Sequence, residues 1–221
     1  MKILSGIRVL DLTNVLSGPF CTLHLAQLGA EVIKIENPKG GDLARKLGNS
    51  KELSKQLMGT SFLAQNANKK SVTLNLKEEK AKEIFRKLVK TADVVVENFR
   101  PKVMDRLGLG YNDLIKIKQD IIYCAISGFG ADGPDAMKPA YDQIIQGLSG
   151  VMSINGDERL NPLRCGFPVC DTVGGLNAAF AILAALYHRE RTGEGQFIDI
   201  ALLDSIMPLM GWVAANLLIG G

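Results

Sequence analysis

Histidine is nearly absent from this chain. Only His24 and His188 occur, so neither a histidine-built metal centre nor a Ser-His-Asp triad is expected, and no metal site is assigned. The cysteines Cys21, Cys124, Cys165 and Cys170 show no C-x-x-C spacing, which removes zinc ribbons and thioredoxin-like redox motifs. The first residues carry no apolar leader run. These thiols are therefore expected to be reduced, in a cytoplasmic protein. No uninterrupted apolar run reaches the roughly 18 residues of a membrane span. The nearest, Ile206 to Ile219, is broken by Pro208, so a core or interface helix is expected and no membrane contact. The net charge is only +3, whereas a nucleic-acid binder carries denser, clustered basic residues. The fingerprint G-x-G-x-x-G is also missing. The first turn reads Asn14-Val15-Leu16-Ser17-Gly18-Pro19, which counts against NAD although Glu36 stands where a ribose-binding acid would.

What remains is an ordinary globular composition, 47% hydrophobic and 22% charged over 221 residues, enough for one large domain with a sizeable core. The first half alternates strand and helix patterns. Strands are predicted at 7–12, 31–36, 71–76, 94–99 and 121–127. Helical segments are predicted at 18–28, 103–107 and 111–118. Another covers 78–91, where Ala81, Ile84, Phe85 and Leu88 repeat at helical spacing. Such alternation implies right-handed crossovers and an α/β fold with a Rossmann-like, mostly parallel sheet flanked by helices. Ligands of such sheets lie beyond the carboxyl ends of the strands. Those ends are 13–17, 36–41, 74–77, 98–102 and 127–130, where a nucleotide-like ligand is expected.

The second half reads as a helix at 141–152, a loop rich in Asn, Gly, Asp and Pro at 155–168, and a long helix at 172–191. That helix is apolar or small on nearly every face, so burial is expected. A short strand at 196–203 and a final apolar helix follow. An apolar helix with no polar tail is an unusual place to stop, and a longer protein is expected.

Asp171 begins the long helix in the stretch Pro168-Val169-Cys170-Asp171-Thr172-Val173-Gly174-Gly175. Two readings are open. It is an N-cap, for which Asp is favoured, or it is a nucleophile whose approach the glycines leave clear. Lys39, Lys69, Lys70, Arg100, Lys102, Arg106 and Lys138 fall in or near the strand-end loops. Each alone reads as solvated charge, and together they suit an anionic, phosphate-bearing ligand. Cys170 has no histidine near it in sequence and reads as an inert thiol.

Several ordered motifs then add up. They are Gly6-Ile7-Arg8-Val9-Leu10-Asp11-Leu12-Thr13, Leu28-Gly29-Ala30-Glu31-Val32-Ile33-Lys34-Ile35-Glu36 and Asn68-Lys69-Lys70-Ser71. Further on come Ala92-Asp93-Val94-Val95-Val96-Glu97-Asn98-Phe99-Arg100-Pro101, Tyr141-Asp142, Asp171 and Arg191-Thr192-Gly193-Glu194-Gly195-Gln196. Through these the chain resembles the family III CoA-transferases, a group that includes formyl-CoA transferase and carnitine CoA-transferase and is related to α-methylacyl-CoA racemase. The resemblance covers essentially the whole chain.

The resemblance implies an enzyme that moves CoA from an acyl-CoA donor to a carboxylic acid acceptor. Asp171 is the implied nucleophile, working through an aspartyl anhydride and an aspartyl-CoA thioester. No cofactor is implied beyond CoA or acyl-CoA as substrate. The implied CoA-binding residues are Val15, Leu16, Ser17, Leu74, Asn75, Leu76, Lys77, Asn98, Phe99, Arg100, Arg106 and Lys138, with Tyr141 bearing on specificity. Arg106 and Lys138 would meet phosphates, and Phe99 would face adenine. Family members run well beyond this length and form interlocked homodimers. Residues 1–221 would then be the N-terminal part of a large CoA-binding domain, with a linker to a smaller domain beginning near 205–221. Two departures concern formyl-CoA transferase, which has glutamine at Leu16 and arginine at Asn37. The racemase has histidine at Tyr141. The alternatives are a 2-methylacyl-CoA racemase or epimerase, and a non-catalytic CoA-binding fragment.

Overall fold

The computed structural model describes residues 2–220; Met1 and Gly221, the ends of the expected domain, lie outside the described residues. Its strands are β1 (Arg8–Asp11), β2 (Glu31–Glu36), β3 (Lys69–Thr73), β4 (Val94–Glu97), β5 (Ile122–Ser127) and β6 (Phe197–Ala201). They form one six-stranded sheet in the order β3-β2-β1-β4-β5-β6, with every neighbouring pair parallel. The order reverses between β1 and β4. In such Rossmann-like sheets this switch point opens a crevice at the carboxyl ends of the two strands.

The helices in chain order are α1 (Ser17–Gln27), α2 (Lys51–Lys55), α3 (Thr60–Gln65), α4 (Glu79–Val89), α5 (Val103–Leu107) and α6 (Tyr111–Leu114). They continue with α7 (Asp142–Leu148), α8 (Val169–Thr192), α9 (Leu202–Ile206) and α10 (Gly211–Ala215). Alternation along the strands separates two cores. Val9, Val32, Val94, Val96, Ile122 and Cys124 face α1 and α8, where Leu25, Ala178, Ile182 and Ala185 meet them. Leu10, Ile35, Val95 and Tyr123 face the other way, onto Phe85 and Val89 of α4 and onto Met104 and Leu114. A strand covered on both sides reads as a continuous apolar run, as Val94-Val95-Val96 does.

The structure differs from the expected elements in several places: α6 stops at Leu114, α8 already begins at Val169, and β4 and β6 end at Glu97 and Ala201. β3 starts at Lys69 and stops at Thr73, because its pairing with β2 runs from Val32↔Lys69 to Glu36↔Thr73. Leu74 and Leu76 then turn into the second core. The helix expected over 141–152 ends at Leu148; Gly150, at φ +89°, breaks it. Residues 43–65 hold a short 3-10 turn with α2 and α3, pieces too short for periodicity to register. The final apolar helix is divided into α9, a 3-10 turn at Met207–Met210 containing Pro208, α10 and a π turn.

By length and hydropathy alone, Val169–Thr192 and Leu202–Gly220 could each cross a membrane. In α8 one stripe packs into the core while Leu176, Phe180 and Tyr187 face outward. Burial of this helix is thus one-sided. Trp212, Leu217, Leu218 and Ile219 are also exposed.

Candidate active site

The turn between β1 and α1 carries an unusual backbone. Val15 sits at φ +68°, a region that a β-branched side chain rarely adopts and that needs external support. The support comes from Asp42, whose Oδ1 accepts the Val15 N–H at 3.0 Å and the Ala44 N–H at 2.9 Å. Lys34 holds Asp42 in turn: its Nζ lies 3.0 Å from Asp42 Oδ2 and donates to the Thr13 carbonyl at 2.6 Å. Asp11 completes the base. It accepts the Thr13 N–H at 2.9 Å, the Thr22 hydroxyl at 2.7 Å and Lys69 Nζ at 3.1 Å. Burial would raise the Asp11 pKa, but Lys34 and Lys69 hold it down at about 2. All four charges are buried, so each depends on the others.

Across the switch point Asn98 locks the same turn. Its Oδ1 accepts the Asn14 N–H and its Nδ2 donates to the Asn14 carbonyl, both at 2.8 Å. Gly18 makes room nearby, since a Cβ there would stand 2.3 Å from Thr13 Cγ2.

Between these loops and α7 lies a cleft of about 270 Å³. It gathers Val15, Leu16, Ser17, Asn98, Phe99, Arg100, Lys138, Tyr141 and Asp171 from distant parts of the chain. Arg100 and Lys138 are exposed cations, the latter 2.7 Å from Asp135. The other expected CoA contacts stand apart from this lining. Leu74 and Leu76 are half-buried against the second core, Asn75 is half-buried, Lys77 is exposed, and Arg106 is exposed on α5.

Two readings of charged residues are corrected here. Lys69 and Lys70 lie at the start of β3, away from its carboxyl end. Lys69 is buried among Asp11, Thr22 and Asn66, and Lys70 pairs with Glu31 at 2.6 Å. Neither is a free phosphate ligand. Glu36 is equally engaged: it accepts Arg45 through both oxygens at 2.7 Å, the Ser71 hydroxyl at 2.6 Å and the Asp42 N–H at 2.9 Å. Burial opposes its ionisation, but these donors bring its pKa down to about 2. It has no capacity left for a ribose.

Asp171 is not the N-cap of α8. That position is Pro168, and Asp171 lies within the first turn with no capping bond from its side chain. The helix start is capped from outside. Asp142 Oδ1 accepts the Cys170 N–H at 2.8 Å and the Asp171 N–H at 3.2 Å. Burial first, then the like charge of Asp142, raises the Asp171 pKa to about 7. A carboxylate of that basicity, opening onto a cleft, is a competent nucleophile near neutral pH. The glycines beside it serve packing rather than approach. A Cβ on Gly174 would meet Leu202 Cδ2 at 2.3 Å, and one on Gly175 would meet the Ser17 carbonyl at 2.5 Å. Burial pushes the Cys170 thiol up to about 12, so it stays a thiol.

Sequence reasoning missed the roles of Asp42 and Gln146, and it quoted Lys34 and Asp142 without a role. The signals were present. Lys34 interrupts the apolar run Val32-Ile33 and Ile35 in the interior of β2, and Asp42 precedes Leu43-Ala44 as an N-cap would.

The succinyl-CoA:glutarate CoA-transferase of Mus musculus is 46% identical over 220 residues, covering 100% of this chain and 50% of that protein. The acetyl-CoA:oxalate CoA-transferase of Acetobacter aceti is 46% identical over 217 residues, covering 96% and 55%. The crystal structure of a CAIB/BAIF family protein from Brucella suis superposes with a TM-score of 0.91 at 38% identity, covering 99% of this chain and 58% of that one. The chain thus spans about half the length of the curated relatives it matches. The family model named CoA-transferase family III matches residues 4–221. With its six-stranded sheet, its switch-point cleft and a match over nearly its full length, the chain belongs to CoA-transferase family III.

Proposed function

We propose that the protein transfers CoA from an acyl-CoA donor to a small carboxylic acid, with Asp171 as the nucleophile. The observation that carries this reading is the carboxylate itself. Asp171 is partly buried, uncapped and held near a pKa of about 7, and it opens onto the cleft that Arg100 and Lys138 line.

The steps balance on one carboxylate. The Asp171 oxygen attacks the thioester carbonyl, the C–S bond breaks, and CoA leaves as thiolate while an aspartyl acyl anhydride forms. The thiolate attacks the aspartyl carbonyl of that anhydride, releasing the donor acid and leaving an aspartyl-CoA thioester. The acceptor carboxylate attacks this thioester, giving a second anhydride and thiolate. The thiolate then takes the acceptor's acyl group, which frees Asp171. Each step exchanges one acyl bond for another and needs no redox partner.

Arg100 and Lys138 fit the anionic part of CoA, with Arg106 and Leu74–Lys77 as further contacts in the same reading. Phe99 offers a ring for adenine. The strained turn at Val15 to Ser17 lies against the thioester, and Tyr141 bears on which acid is accepted. The outward apolar side chains Phe180, Tyr187, Trp212 and Leu217 support contact with further polypeptide, in this reading within a homodimer.

Transfer of labelled CoA between succinate and glutarate tests the assignment. Wild-type protein should catalyse exchange, and Asp171→Asn should abolish it with CoA binding retained. Exchange undiminished in Asp171→Asn would end the assignment.

A further inference from the structure

Helix α7 grips the start of α8 through two buried side chains. Asp142 accepts the backbone N–H groups of Cys170 and Asp171 on one oxygen. Its other oxygen accepts Gln146 Nε2, one turn later on the same helix. Gln146 Oε1 accepts the Cys165 N–H at 2.8 Å. The start of α8 and the segment leading into it are therefore both tied to α7. Neither Asp142 nor Gln146 has a part in the transfer steps above.

We propose that Asp142 is a positioning residue for Asp171: it occupies the helix-start amides that would otherwise cap the Asp171 carboxylate, and holds that carboxylate uncapped beside a like charge. The inference rests on Asp171 being the nucleophile. The first amides of a helix are free donors and stabilise a nearby anion. An aspartate in the first turn would normally draw on them. Here Asp142 takes two of them, and its charge opposes ionisation of Asp171.

The other ionisable groups around this corner come from three directions. Arg100 follows β4, Lys138 and Tyr141 precede α7, and Cys170 stands beside Asp171 on α8. Lys138 is engaged with Asp135. Asp142 is the one whose charge bears on Asp171. A carboxylate kept short of donors is more basic and attacks a thioester more readily.

The substitution Asp142→Asn removes the charge while its amide oxygen still accepts the two N–H groups; its Nδ2 then faces Gln146 Nε2, so the bond to Gln146 is lost with the charge. Asp142→Ser is a second variant with a shorter acceptor. The readout is a carbon-13 NMR titration of the Asp171 carboxyl, assigned by its loss in Asp171→Asn. We expect a wild-type midpoint near 7, and a midpoint about one pH unit lower in Asp142→Asn. An unmoved midpoint in the folded variants overturns the proposal. If neither variant folds, the wild-type midpoint decides: a value in the ordinary carboxylate range overturns it. Borohydride trapping of an acyl-Asp171 adduct, run in parallel, keeps the two readings apart. Trapping without a shift sinks the positioning role alone, and a shift without trapping sinks the transferase assignment and leaves only the effect of Asp142 on the Asp171 carboxyl.

Discussion

Asn98 and Asn14 exchange two hydrogen bonds of 2.8 Å across the switch point of the sheet, amide side chain to backbone. The pair fixes one wall of the cleft to the other. Asn98→Ala removes both bonds and should cost about 1–2 kcal/mol of stability. It should weaken CoA binding more than it slows turnover, because the loop moves while Asp171 stays. Calorimetric titration with CoA, alongside urea unfolding, checks both.

The buried charges beneath Val15 make a stronger prediction. Lys34→Met leaves Asp42 and Asp11 short of a cation in a dry site. Losing one partner of a buried pair costs about 3–5 kcal/mol, so the urea midpoint should fall steeply. The double variant Lys34→Met/Asp42→Leu should recover part of that loss, though Val15 then loses its acceptor.

Gly175→Ala tests the packing of α8 on α1. The added Cβ meets the Ser17 carbonyl at 2.5 Å, and backbone cannot yield as a side-chain tip would. A loss of about 1–3 kcal/mol is expected from overpacking, read as a lower melting temperature.

Asp171 makes stability depend on pH in a defined direction. Its folded pKa is raised from 3.8 to about 7. Below both values it is protonated in either state and contributes nothing. As pH climbs between them, the unfolded chain releases the proton and the folded chain keeps it, so stability falls. Above about 7 the penalty is constant. Asp171→Asn should therefore raise the melting temperature more at pH 8 than at pH 5. Glu97, also raised to about 7 by burial, adds the same trend in both proteins and cancels in the comparison. Asp11 and Glu36, lowered to about 2, act the other way. Their stabilisation is present above about 4 and is lost as pH falls through 2.

The alternation of the first half was enough to place the sheet, because strands buried on both faces leave short apolar runs such as Val94-Val95-Val96. β2 agrees with expectation at both ends. The register of β3 was not legible, since its start depends on pairing with Val32 rather than on its own pattern. Asp171 could be picked out, but its environment could not. Asp142 lies 29 positions away in sequence, and only the fold brings it to the start of α8. The glycines misled for the same reason: the sequence reveals that a side chain is missing, while Leu202 and Ser17 reveal what fills the space.

Transfer by this route requires a covalent bond at one residue, Asp171. Protein incubated with succinyl-CoA, quenched with hydroxylamine and digested should yield a hydroxamate on the peptide containing Asp171, detected by mass spectrometry. The same treatment of Asp171→Asn should yield none. Wild-type protein that exchanges CoA between acids while this peptide remains unmodified would contradict the account.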